Sequence, residues 1–154
     1  MSFKHSSRFW ISAAAVIAWM VVIFLFSSQN GDDSSNTSGG IVALICDFFH
    51  LSPSAITVEI ITVCVRKAAH MTEFGILGLL SFNALYQGFG FFRGVYPLAF
   101  TVASLYAATD EFHQLFIDGR TGKFTDWMID SAGIIIFLFI AWVVVRIVRG
   151  TAKE

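Results

Sequence analysis

The sequence predicts an all-α fold: an integral membrane bundle of four transmembrane helices, with a short amphipathic helical segment in the first outer loop. Three observations carry this reading. The 154 residues are 56% hydrophobic and 14% charged, where a soluble domain carries about 25% charged residues. Seventeen Phe and four Trp stand against two Pro, which excludes a disordered chain. The ionisable residues gather at particular ends of long apolar runs instead of spreading over a surface. The length fits a single domain, and a net charge of −1 supplies no field for a nucleic-acid partner.

Residues 9–26 form an uninterrupted, uncharged run. About 20 residues cross the hydrocarbon core, so residues 9–27 read as span 1, after a tail at 1–8. Lys4 and Arg8 precede the run as in a signal peptide. Bulky Phe24 and Phe26 at its end, and the lack of a small-residue cleavage site, argue for a retained span. An outer loop is expected over 28–66. Its Gly- and Ser-rich first part, 27–40, has the composition of a flexible loop. Ile41, Leu44, Ile45, Phe48 and Phe49 then fall on one helical stripe, which suits a short interfacial helix. Ser52 and Pro53 read as the N-cap and first position of the next helix. No breaker lies between Val63 and Met71, so whether that helix runs into span 2 stays open.

Spans 2, 3 and 4 are expected over 67–86, 95–116 and 126–148, with a Gly-rich link at 87–94 and a closing tail at 149–154. Thr125 is the expected N-cap of span 4. Six basic residues (Lys4, Arg8, Arg93, Arg146, Arg149, Lys153) lie on one side of this arrangement and four (Arg66, Lys67, Arg120, Lys123) on the other. The excess places both termini in the cytoplasm. Cys46 and Cys64, 18 residues apart, match no zinc spacing. Two buried thiols are the plainer expectation and an extracytoplasmic disulfide the alternative.

Ionisable groups inside spans are costly and turn to the bundle interior. Arg66, Lys67, His70 and Glu73 open span 2, and Asp110, Glu111, His113 and Gln114 close span 3. Asp126 and Asp130 open span 4. Because spans 2 and 4 run inward and span 3 outward, all three polar ends share the outer layer, with Glu73 about 10 Å deeper than Arg66 at 1.5 Å per residue. Arg66, His70 and Glu73 (i, i+4, i+7), Asp110, His113 and Gln114 (i, i+3, i+4), and Asp126, Asp130 and Gly133 (i, i+4, i+7) each share a helix face. The expected object is a polar cavity at the outer surface. The loop 117–125, with Gly119 and Gly122, would let Arg120 fold back over it.

Carboxylates beside His permit acid–base chemistry. His70, Glu73, Asp110 and Glu111 are the candidate catalytic groups. Arg66, Lys67, His113, Gln114, Arg120, Asp126 and Asp130 are the candidate ligand-binding groups, the basic ones suiting phosphate or carboxylate. The plainer alternative is that these charges pair and pin the helices together, since polar contacts help association in lipid. A metal on His70, Glu73, Asp110, Glu111 and His113 is the weaker idea, because H-E-x-x-H is absent. No metal and no cofactor is expected, and no nucleophilic side chain stands out.

Three strings carry a family resemblance. Residues 66–74 (RKAAHMTEF) resemble the RK-x-x-H-x-x-E-[YF] signature of the VanZ-like membrane proteins. Asp110-Glu111-Phe112-His113-Gln114, then Gly119-Arg120, then Asp126, is similar to that family's D-E-x-x-Q…G-R…D pattern. Phe26-Ser27-Ser28-Gln29 matches the F-S-x-Q closing its first span. Asp130 departs from the Asn frequent there and adds a charge. The resemblance implies a location at the outer membrane face and a link to resistance against teicoplanin, a glycopeptide that binds cell-wall precursors. Two activities are compatible with it. One is binding of an anionic lipid or cell-wall-precursor headgroup, with membrane lipids, a lipid-linked precursor or a glycopeptide as partners. The other is a membrane-embedded hydrolase or transferase using a carboxylate base on a lipid headgroup.

Overall fold

The computed structural model describes residues 7–151. The outermost parts of the two expected tails, 1–6 and 152–154, lie outside the described residues. Five helices follow one another: α1 (Ser7–Ser27), α2 (Gly31–Phe48), α3 (Ala55–Phe89), α4 (Val95–Gln114) and α5 (Phe124–Thr151), with no strand among the described residues.

Two of them, Ser7–Ser27 and Phe124–Val148, are long and apolar enough to cross a membrane. Only 11% and 22% of their most apolar stretches are buried inside the molecule. Ile17, Leu25, Ile135, Phe139 and Ile140 all face outward. Helices this apolar and this uncovered have lipid as their natural surrounding. α3 and α4 carry their polar ends within the helix and do not reach the same apolarity over 18 residues.

The core joins Ile23 of α1, Phe74 and Leu77 of α3, Ala99, Ala103 and Ala107 of α4, and Ile134 and Leu138 of α5. The three alanines at i, i+4, i+8 are fully buried. Small residues at that spacing let helices approach without a hydrophobic drive from water. The closest approach is that of α3 to α5: a Cβ on Gly133 would lie 2.5 Å from the Met71 carbonyl oxygen. Indole and phenol groups then fasten helices through backbone carbonyls. Trp19 donates to Glu73 O (2.9 Å), Tyr106 to Met20 O (2.7 Å) and Trp127 to Ser104 O (3.0 Å).

Four local expectations change. Residues 31–40 are the first half of α2 and not a loop. Asn30 caps this helix by accepting the Asp33 N–H at 2.8 Å, and Asp32 and Asp33 sit in its first turn, where carboxylates complement the dipole. Its buried residues are Ser34, Ser38 and Val42, a small-residue face at i, i+4, i+8 that packs on α3. The stripe Ile41, Leu44, Ile45, Phe48, Phe49 is exposed. Second, Ser54 and not Ser52 caps α3, accepting the Thr57 N–H, and α3 continues unbroken through the expected start of span 2 to Phe89. Third, Thr125 does not cap α5. The helix begins at Phe124, and Lys123 O accepts the Asp126 and Trp127 N–H groups. Fourth, the thiols are free, with Cys46 half-buried and Cys64 exposed.

Candidate functional site

The polar residues meet at one end of the bundle, where α1 and α4 finish and α5 begins. The Asn30 cap turns the chain straight from α1 into α2, and a short loop joins α4 to α5. These two connections are bound to each other. Gly31 N donates to Asp118 O at 3.0 Å, and the pair is so close that a Cβ on Gly31 would fall 2.2 Å from Gly119 O. Gly119 itself has φ +71°, a region that glycine enters without strain.

Arg120 completes the junction. Its Nε donates to Gln29 O at 2.9 Å and its Nη2 to Phe26 O at 3.3 Å. The last carbonyls of a helix have no partner within it and carry the negative end of the dipole, so a guanidinium is well matched to the end of α1. Burial, and next the charge of Arg66, lower the Arg120 pKa, while Asp110, Glu73 and Glu111 pull it back up. The guanidinium stays charged.

Beneath this junction is a cavity of about 290 Å³. Of the residues expected at a site, Arg66, Lys67 and His70 from α3, Glu111 and Gln114 from α4, Arg120 from the loop, and Asp126 and Asp130 from α5 all line it. Lys67 pairs with Asp126. Both are partly exposed, so the pair adds little stability, about 0–1 kcal/mol. Among the described residues Arg66 donates only to the Ser35 hydroxyl, at 3.4 Å. Glu111 accepts the Lys123 N–H at 2.8 Å, which fastens the loop to α4.

Three expected residues do not line the cavity. Glu73 sits a turn deeper on α3, 3.7 Å from His70 Nδ1. Asp110 is buried behind Gln114, whose Nε2 donates to it at 3.0 Å and to Ser27 Oγ at 3.3 Å. His113 turns toward α1, its ring 4.9 Å from that of Phe24. Helical spacing places these three on the right stretch of helix. It does not say which neighbour each meets, and α1 takes His113.

Sequence reasoning about charge missed Ser27, Gln29, Ser35, Thr121 and Lys123. Ser27 is fully buried against Gln114, and Gln29 serves through its carbonyl. The Phe26-Ser27-Ser28-Gln29 string was the available signal for both. Among the described residues no group of three or more His, Cys, Asp or Glu is placed to hold a metal ion.

A helical protein with two lipid-ready helices and a mixed-charge cavity at one end belongs to the class of small membrane proteins. The family model of VanZ/LLP1 matches residues 12–146, and the chain belongs to that family. No curated protein and no solved structure gives a significant match.

Proposed function

We propose that this VanZ-like protein is a four-span membrane protein, both termini cytoplasmic, whose cavity opens to the outer face and binds the anionic headgroup of a lipid or lipid-linked cell-wall precursor. In this reading its biological role lies in envelope homeostasis or reduced glycopeptide access. The observation that carries the reading is the cavity opening: Arg66, Arg120 and Lys123 are basic, and among the described residues only Lys67 of the four lining Lys and Arg is paired with an acid. Guanidinium and ammonium groups at a half-buried mouth suit phosphate or carboxylate. A volume of about 290 Å³ is at the small end for a ligand pocket. It suits a headgroup, not a whole glycopeptide.

The catalytic alternative keeps less support. Two of its four carboxylate and imidazole candidates, Glu73 and Asp110, are off the cavity, and Glu111 is held by a backbone N–H.

Two measurements test the proposal. For topology, single-Cys variants at Asn36 and Gly90 are labelled on intact cells with an impermeant thiol reagent. Label is expected at 36 and not at 90, and the reverse would overturn the orientation. For binding, the purified protein is titrated with glycerol phosphate. Saturable binding that weakens at least tenfold in Arg66→Ala is expected. No binding in the wild type would remove the headgroup reading.

A further inference from the structure

The cavity carries both signs of charge: of its acids, Asp126 pairs with Lys67, Glu111 accepts the Lys123 N–H, and Asp130 lies deeper. Arg66, Arg120 and Lys123 line the cavity toward the loop-bearing end. One turn further along α5 from Asp126 comes Asp130, and one turn along α3 from Arg66 comes His70. Asp130 is 2% exposed yet lines the cavity. Among the described residues no cation lies within ion-pair distance of it. A carboxylate this buried is costly unless a positive partner or hydrogen bonds offset its desolvation. His70 Nδ1, 3.7 Å from Glu73 Oε2, is likewise buried and makes no hydrogen bond among the described residues. The free cations of the cavity therefore suit an anion, and the buried Asp130 deeper on α5 suits a cation.

We infer that the cavity, read above as a headgroup site, is selective for a zwitterion: an aminoalkyl phosphate of the phosphoethanolamine type, with phosphate on Arg66, Arg120 and Lys123 and ammonium on Asp130. A two-carbon spacer keeps phosphate and ammonium together within a single cavity of about 290 Å³. A purely anionic glycerol phosphate fills the mouth but leaves the Asp130 carboxylate unpaired. A simple amine pairs with Asp130 but leaves three cations facing one another. This chemistry is offered both by an ethanolamine phospholipid of the surrounding leaflet and by free phosphoethanolamine.

The test is calorimetric titration of the full-length protein in detergent with phosphoethanolamine, glycerol phosphate and ethanolamine. Phosphoethanolamine is expected to bind at least tenfold more tightly than either of the others. Asp130→Asn should remove that preference, and Arg66→Ala should weaken both phosphates. Equal affinity of the wild type for the two phosphates overturns the zwitterion assignment and leaves the headgroup reading standing, and this comparison needs no variant to fold. Absence of binding by either phosphate overturns both. Repeating the titration in nanodiscs separates the sources. If ethanolamine-lipid discs abolish the free-ligand signal and glycerol-lipid discs keep it, the lipid is the occupant. An equal signal in both assigns the free compound.

Discussion

Gly122→Ala is expected to be the most damaging small substitution in the protein. A Cβ at this position would lie 2.0 Å from the backbone oxygen of Glu111 and 3.0 Å from its carbonyl carbon. Neither atom can rotate away as a side chain would. The loop must therefore lift from α4, and it carries with it the Lys123 N–H bond to Glu111 and the seat of Arg120. Overpacking alone costs about 1–3 kcal/mol and occasionally more, and a lost hydrogen bond to a buried carboxylate adds about 1.5–3 kcal/mol. We expect a fall of roughly 3 kcal/mol or more, and the loss of glycerol phosphate binding. Gly31→Ala should follow it, with its Cβ 2.2 Å from Gly119 O. Gly39→Ala is the control. Nothing lies within 4 Å of a Cβ there, and the site is inside α2. Replacing a mid-helix glycine should raise stability by roughly 0.5–1 kcal/mol. Thermal unfolding in detergent reads all three, and a Gly122→Ala protein as stable as the parent would show that the loop has no fixed seat on α4.

These contrasts also show how far the sequence could be read. Helices α1 and α5 are legible because their apolar runs are long, and the polar ends of α3, α4 and α5 because ionisable groups stand out against Ile, Leu, Phe and Val. The first half of α2 is illegible by the same logic. Its buried face is Ser34 and Ser38, small hydroxyl residues whose composition is that of a loop, and only packing against α3 selects the helix. At the site, periodicity identifies which residues share a face but not what the face meets. Arg66 and Arg120 look alike in sequence. Among the described residues one reaches a hydroxyl; the other holds the Phe26 carbonyl of α1 and the Gln29 carbonyl just past it, and carbonyls leave no mark in a sequence. From its sequence position Arg120 has a place over the cavity, either facing a ligand or paired with an acid. The partners it has are Gln29 O and Phe26 O, with the cavity beyond.

Because Arg120 serves both the junction and the cavity while Arg66 serves chiefly the cavity, the two arginines should separate stability from binding. Arg120→Ala removes two charge-assisted hydrogen bonds to the end of α1. It also leaves those carbonyls without the cation that complements the helix C-terminus. The bond to Gln29 O contributes about 1.5–3 kcal/mol and the longer, exposed one to Phe26 O less, so a loss of roughly 2–4 kcal/mol in stability is expected together with loss of phosphate binding. Arg120→Lys keeps the charge but has no planar fork and can satisfy one carbonyl at a time. It should recover about half of the stability and still bind glycerol phosphate at least tenfold more weakly than the parent. Arg66→Ala breaks one long contact to a surface serine. Its unfolding should shift by less than about 0.5 kcal/mol, the usual size of a surface change, while its phosphate affinity falls at least tenfold. The decisive comparison is unfolding and titration on the same three preparations. If Arg66→Ala and Arg120→Ala lose stability and binding in equal proportion, the cations act only to pin the helices, and the cavity is a by-product of that packing. If Arg66→Ala alone keeps its fold and loses its ligand, the mouth is a binding site that Arg120 both builds and joins.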